Sequence, residues 1–219
     1  MHTRIDFRIM LLQRNKTRCY ESAFWPKLLG ALLALAAAAI VCLPNLDSHS
    51  LDVVDEGRHV LATQSLLKTD LPLSPTLYGA PYFHKPPLKM WLSLIPVKVL
   101  GESEFSYRII DSLFGIAIVV ATYYLALLLF SSVFCGNLAA LALCGCYALF
   151  HIHGVRNAVQ DSALIFFCTL QFVFIWKIIV ESDSYRSSRK VAINDLLLAT
   201  SIAAALLCKS VFGFLPSFL

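Results

Sequence analysis

The sequence predicts an all-α polytopic membrane protein with about five transmembrane helices and two further helices lying at the membrane surface in a long first external loop, 44–108. Three observations predict it. Of the 219 residues, 58% are hydrophobic and only 15% are charged, where an average soluble domain is roughly 45–50% apolar. Mean hydropathy is +0.70. The apolar residues also collect into blocks of the length a bilayer requires, about 20 residues, within which a helix can satisfy its own backbone inside hydrocarbon. A soluble globular enzyme is excluded by this balance.

The first block runs from Lys27 to Leu43, the second from Ile109 to Phe130, and the third from Leu138 to His151, or from Val133 if its start is extended. The fourth covers Ser162 to Val180 and the fifth Leu196 to Leu215. No internal repeat is apparent. The first block is read as an uncleaved helix, because a long polar segment precedes it and Leu43-Pro-Asn-Leu46 lacks a small-residue cleavage site.

Charge at the block ends sets the expected orientation. Arg4, Arg8, Arg14, Lys16, Arg18 and Lys27 precede the first helix against Asp6 and Glu21, so the positive-inside rule makes 1–26 a cytoplasmic basic segment and 27–219 a transmembrane domain. Alternation then puts 44–108 and 152–161 outside, and 131–137 and 181–195 inside, the last with Arg186, Arg189 and Lys190. The outer loop is itself basic, with Arg58, Lys68, Lys85, Lys89, Lys98 and Arg108. Loops beyond about 60 residues escape the rule.

Within that loop, Asp55 to Lys68 sets Val60, Leu61, Leu66 and Leu67 among polar residues at a spacing that suits an amphipathic surface helix. Thr69 to Pro75 is turn-rich, and Tyr82 to Lys85 reads as an extended link ended by Pro86-Pro87, which pre-set the first turn of another helix. That helix, Leu88 to Leu100, is too short to span; Lys89 and Trp91 are residue types that settle at the headgroup level.

Taken together, Asp55-Glu-x-Arg58, Tyr82-Phe-x-Lys-Pro-Pro-Leu88 followed by Trp91, and Arg156-x-x-x-x-Asp161 before a run containing Phe166-Phe167 resemble the GT-C class of membrane glycosyltransferases. The resemblance is to bacterial aminoarabinose (lipid A) transferases and the related dolichyl-phosphate-mannose protein mannosyltransferase superfamily. Leu207-Cys-Lys-Ser-Val-Phe-Gly213 with Pro216 is similar to a further family segment, with Ser210 where the family usually has glycine. Members of the class are much longer, so the chain reads as an N-terminal fragment, at most weakly active by itself.

The resemblance implies transfer of a sugar, with inversion, from a polyprenyl-phosphate donor to a lipid A, glycan or protein acceptor on the outer face, in a bacterial inner membrane. Membrane lipids are the other expected partners, and no nucleic acid is expected. A lipid-phosphate leaving group gains charge at the headgroup level as the glycosidic bond breaks, so fixed cations lower the barrier. Lys85, Arg58, Arg156 and Lys209 are the candidate phosphate-binding residues. An acceptor hydroxyl needs a carboxylate to take its proton, and Asp55, with Asp161, is the candidate for that chemistry. Glu56 and Tyr82 are candidate substrate-binding residues. The helix count brings Asp55, Lys85, Arg156, Asp161 and Lys209 to one outer surface although they come from separate parts of the chain.

Each residue has a plainer reading. Asp55 and Asp161 both precede helical patterns and suit N-caps, and Glu56 suits support of a helix start. Lys85 suits a headgroup anchor, Lys209 a side chain snorkelling from a helix end, Arg58 and Arg156 interface roles, and Tyr82 an aromatic belt. No cofactor is expected. A metal is not favoured, since His151 and His153 do not share a helical face, which leaves His84 with an unidentified partner. The seven cysteines, in an odd number and mostly within apolar blocks, read as small packing residues without disulfides. Two other functions remain: a non-catalytic membrane protein that binds lipid phosphate, and a transporter, which would more often show interrupted helices at mid-bilayer and repeated halves.

Overall fold

The structure, a computed structural model, describes residues 24–52, 54–69, 73–151, 154–181 and 188–218. Most of the basic segment 1–26, with His153 and Arg186, lies outside the described residues. In chain order the elements are α1 (Phe24–Cys42), α2 (Asp55–Leu67), a hairpin of β1 (Thr76–Leu77) and β2 (Ala80–Pro81), α3 (Leu88–Leu100), α4 (Glu104–Phe130), α5 (Val133–Cys144), α6 (Tyr147–His151), α7 (Asp161–Glu181) and α8 (Ser188–Lys209). After α8 comes a 3-10 segment, Ser210–Phe218.

Among the described residues, four stretches are long and apolar enough to cross a membrane: Phe24–Cys42, Glu104–Phe130, Asp161–Val180 and Ala192–Gly213. The third apolar block differs from the expected single helix. Its chain turns at Gly145 and Cys146, and α5 alone has 12 residues, about 18 Å at 1.5 Å per residue, short of the ~30 Å hydrocarbon core. The block still traverses the bundle. At one end Tyr123 donates to Lys27 O at 2.8 Å, and a Cβ on Gly136 would lie 2.8 Å from the Tyr123 ring. At the other end Ser112 donates to Val155 O at 3.2 Å, and Arg156 donates to Pro44 O at 2.6 Å. The run from 133 to 155 therefore returns from the start of α1 to its finish in two helical pieces. The fifth block also departs from expectation: its regular helix stops at Lys209, and 3-10 geometry takes over.

Small residues make the close contacts that spanning helices need, because lipid tails are as apolar as leucine and packing must supply the attraction. Helix α1 buries Gly30, Ala34, Ala38 and Cys42, one every fourth residue. Ala34, Ala38 and Cys42 join Ile116, Ile118, Val119, Tyr123 and Leu127 of α4, Ala140 of α5, and Leu149, Phe150 and Val155 in one apolar core. Ser103 and Ser106 bond reciprocally as a capping box that starts α4.

Helices α2 and α3, both foreseen in the sequence, pack together at the end of the bundle where α1 finishes and α4 begins. Ala62, Leu66, Tyr82, Met90 and Leu94 form one apolar cluster there, and Val60, Val97, Tyr107 and Ala158 a second. The extended piece of this loop lies just upstream of the expected Tyr82 to Lys85 link. It is the hairpin, with Thr76 opposite Pro81 and Leu77 opposite Ala80. Tyr78 and Gly79 turn it with φ of 53° and 81°, the left-handed pair a tight two-residue connection requires. Lys89, expected at the headgroups, is instead buried at 2% exposure.

Gly115 lies where α4, Val155 and Cys42 meet, and an added Cβ would come within 2.7 Å of Val155 Cγ2. Gly115→Ala is expected to destabilise by about 1–3 kcal/mol, the cost of overpacking. Replacement of the half-exposed Leu113 by alanine should stay within about 0.5 kcal/mol. Thermal unfolding in detergent distinguishes the two.

Candidate functional site

The polar architecture begins at Glu56 and Arg108. Glu56 stands in the first turn of α2, where the helix dipole favours a carboxylate, and Arg108 extends from the second turn of α4 to meet it. Arg108 Nε lies 2.7 Å from Glu56 Oε1 and Nη2 2.8 Å from Oε2, a bidentate pair. The remaining donors go to backbone carbonyls: Nη1 to Leu46 at 2.7 Å and His49 at 2.8 Å, Nη2 to Ser50 at 3.0 Å. Glu56 Oε1 also accepts the Ala158 N–H, and Oε2 the Asp52 N–H, each at 2.8 Å. Burial by itself would push the Glu56 carboxyl up, but the Arg108 guanidinium and these two N–H groups outweigh it and hold the group below the ordinary range.

Glu56, expected to touch substrate, is thus 2% exposed with both oxygens engaged. Its place is structural: it fixes the first turn of α2 and so the direction of its neighbour. Asp55 is the first residue of α2; the cap position is taken by Val54, whose side chain makes no cap bond.

Asp55 shares its side of α2 with Arg58, 4.0 Å away, and with His59 at helical spacing. Lys85 comes from the link before α3 to place Nζ 3.4 Å from His59 Nε2. Tyr82 packs beneath, 5% exposed, its ring 5.7 Å from that of His84. Burial raises the Tyr82 phenol above its ordinary range, with a smaller lowering influence from Arg58 and a raising one from Asp55. Four of the expected residues, Asp55, Arg58, Tyr82 and Lys85, therefore share one face of the loop.

Asp161 and Lys209, the first residue of α7 and the last of α8, form an ion pair with each other. The Lys209 side chain remains 36% exposed in that pair. The next residue, Ser210, has φ 50°, a left-handed conformation that favours glycine, which explains why glycine is usual in the similar family segment. Gln160, beside Asp161, donates to Pro86 O at 2.9 Å and so joins this pair to the link carrying Lys85.

Arg156 lines a cleft of about 290 Å³ with His49, Ser50, Asp52, Glu56, Phe150 and Asn157, next to the Glu56 hub. Among the described residues no group of three or more His, Cys, Asp or Glu side chains is arranged to hold a metal.

Sequence reasoning treated Arg108 as an outer-loop cation and Lys89 as a headgroup-level residue, and overlooked Asp111. Lys89 Nζ lies 2.6 Å from Asp111 Oδ2, with side chains 2% and 0% exposed, and Ser162 donates to Asp111 Oδ1 at 2.5 Å. An aspartate three residues into an apolar block was the available signal, since ionisable groups at that depth are expensive and paired.

A family model described as dolichyl-phosphate-mannose-protein mannosyltransferase matches residues 29–218. An undecaprenyl phosphate-alpha-4-amino-4-deoxy-L-arabinose arabinosyl transferase of Pseudomonas savastanoi pv. phaseolicola is 36% identical over 97 residues, 44% of this chain and 18% of its own length. Its counterpart in Yersinia enterocolitica is 32% identical over 144 residues, 65% of this chain and 25% of its own. ArnT from Cupriavidus metallidurans, solved bound to undecaprenyl phosphate and in the apo state, superposes with TM-scores of 0.61 and 0.62 at 16% and 20% identity. These superpositions cover 84% and 83% of this chain and 33% of each ArnT chain, and show a shared fold. The chain spans between 18% and 33% of the length of these relatives.

Removing one partner of the Glu56–Arg108 pair strands a buried charge, so Glu56→Gln should cost about 3–5 kcal/mol. Because the folded Glu56 pKa lies below its unfolded value of 4.5, the pair's stabilisation is complete above that value. It is lost as pH falls further, through the folded pKa. Unfolding in detergent across this acid range should show the loss in the parent protein and a flatter limb in Glu56→Gln.

Proposed function

The chain belongs to the dolichyl-phosphate-mannose-protein mannosyltransferase family, and from that premise we propose that it contributes a site for inverting transfer of a sugar from a polyprenyl-phosphate donor. The acceptor is a lipid, glycan or protein at the outer face of a bacterial inner membrane. In this reading 1–26 is cytoplasmic and the end bearing α2 and α3 faces outward. The observation that carries it is the shared face: Lys85 Nζ stands 3.4 Å from His59 Nε2, one helical turn beyond Asp55 on the same helix.

The chemistry follows from that placement. Lys85 meets the donor phosphate, and its ammonium becomes more valuable as the glycosidic bond breaks and the departing phosphate gains negative charge. Arg58, whose side chain is 55% exposed, is the second cation of the face. Asp55, 31% exposed, accepts the proton of the acceptor hydroxyl as that oxygen attacks the anomeric carbon from the side opposite the phosphate. Tyr82 borders the sugar. Asp161 and Lys209 flank the face as a neutralised pair, and Glu56 acts through the direction it imposes on Asp55. The undecaprenyl phosphate seen with ArnT is the donor lipid this reading adopts.

The test uses the product of the complete gene and a radiolabelled polyprenyl-phosphate sugar. Asp55→Asn is expected to lower transfer by about 10²–10⁴-fold while the donor still binds; unchanged transfer would remove Asp55 as the base. Lys85→Ala should weaken binding of undecaprenyl phosphate, and equal affinity by titration in detergent would reduce Lys85 to an interface anchor. Binding without any turnover would favour a lipid-phosphate-binding membrane protein instead.

A further inference from the structure

Lys85 is held by a short piece of chain, Lys85-Pro86-Pro87-Leu88-Lys89, that links the hairpin region to α3. Two consecutive prolines stiffen it, since each ring restricts φ and removes a backbone N–H. The strut therefore has few donors of its own, and its carbonyls are its remaining polar handles. One of them, Pro86 O, accepts from Gln160 Nε2 at 2.9 Å, and Gln160 is 1% exposed. At the far end Lys89 enters the bundle, with Nζ 2.6 Å from Asp111 Oδ2, while Asp111 Oδ1 takes the Ser162 hydroxyl at 2.5 Å. The strut is thus gripped at two points by groups from α4 and from the start of α7.

Stability alone does not account for these polar grips. Burying an ion pair desolvates both charges, and well-packed apolar residues of similar volume commonly stabilise as much or more. Gln160 makes one bond to the strut, yet its Oε1 is buried without a hydrogen-bond partner among the described residues, which is a cost. What the arrangement does supply is a unique position, because directional bonds tolerate less displacement than apolar contact does.

We propose that Gln160, Lys89 and Asp111 are positioning residues for Lys85: they hold the two-proline strut at two points, so that the Lys85 ammonium stands beside His59 before any donor arrives. The inference rests on the reading of Lys85 as a phosphate ligand. Holding a long side chain's base in place reduces the freedom lost when phosphate binds, and so strengthens binding without touching the ligand.

The experiment measures the affinity of the complete protein in detergent for undecaprenyl phosphate, with undecaprenol as the phosphate-free control, alongside thermal unfolding. Gln160→Leu removes the Pro86 bond and buries no charge. It is expected to weaken undecaprenyl phosphate binding about three- to tenfold while the unfolding temperature holds or rises and undecaprenol binding is unchanged. The neutral double variant Lys89→Met with Asp111→Asn should do the same, and Lys89→Arg should retain tight binding. If the double variant fails to fold, Gln160→Leu decides. Affinity unaltered in Gln160→Leu, with Lys85→Ala weakened, overturns the clamp alone. Affinity lost only in proportion to folded protein overturns it too. Affinity unaltered in Lys85→Ala overturns the reading of Lys85 and the clamp with it.

Discussion

The bidentate contact between Arg108 and Glu56 is the constraint on which the loop end depends. All five guanidinium N–H donors of Arg108 are used, two on Glu56 and three on the carbonyls of Leu46, His49 and Ser50. Glu56 in turn accepts the N–H groups of Asp52 and Ala158. One ion pair thereby ties the exit of α1, the start of α2, the second turn of α4 and the segment before α7. Lysine could not substitute, because a point charge with three donors lacks the planar fork that reaches a carboxylate and several carbonyls together.

This concentration of polar bonding at one end divides the molecule. Toward the other end, attraction comes from close backbone approach, as at Gly30 and Gly136, where an added Cβ would meet neighbouring side chains at 2.5 and 2.8 Å. At the loop end the polar side chains Glu56, Arg108, Lys89, Asp111 and Gln160 are each buried. Buried charges are tolerable there because each is paired with an opposite charge, whereas the same groups alone would carry a severe desolvation penalty.

The division also explains how a site can be assembled at a bilayer surface without a soluble domain's core behind it. Helix α2 is too polar to embed and too short to be stable in isolation; the hub fixes its first turn, and the clusters around Ala62 and Val60 hold the rest. Asp55 and His59 inherit their direction from that anchoring. Lys85 inherits its position from the strut, so the two sides of the candidate site are referred to the same helices, α4 and α7.

Much of this was legible in the sequence. Hydropathy and block length gave the spanning helices, since a helix in lipid must close its own hydrogen bonds over a fixed thickness. The run Leu88 to Leu100 and the helix opening at Asp55 were readable from periodicity and from Pro86-Pro87. Asp55, Arg58, Tyr82 and Lys85 were found together through motif resemblance. Tertiary structure alone decided that Glu56 turns inward, that Lys89 leaves the headgroups for Asp111, that Lys209 pairs with Asp161, and that Arg156 lines a cleft with Glu56. It also broke the third block at Gly145 and ended α8 at Lys209. The reason is physical: a residue's cost of transfer into lipid depends on its own chemistry and is written locally, whereas the partner that makes a buried charge affordable lies about 20 to 100 positions away and exists only once the helices have packed.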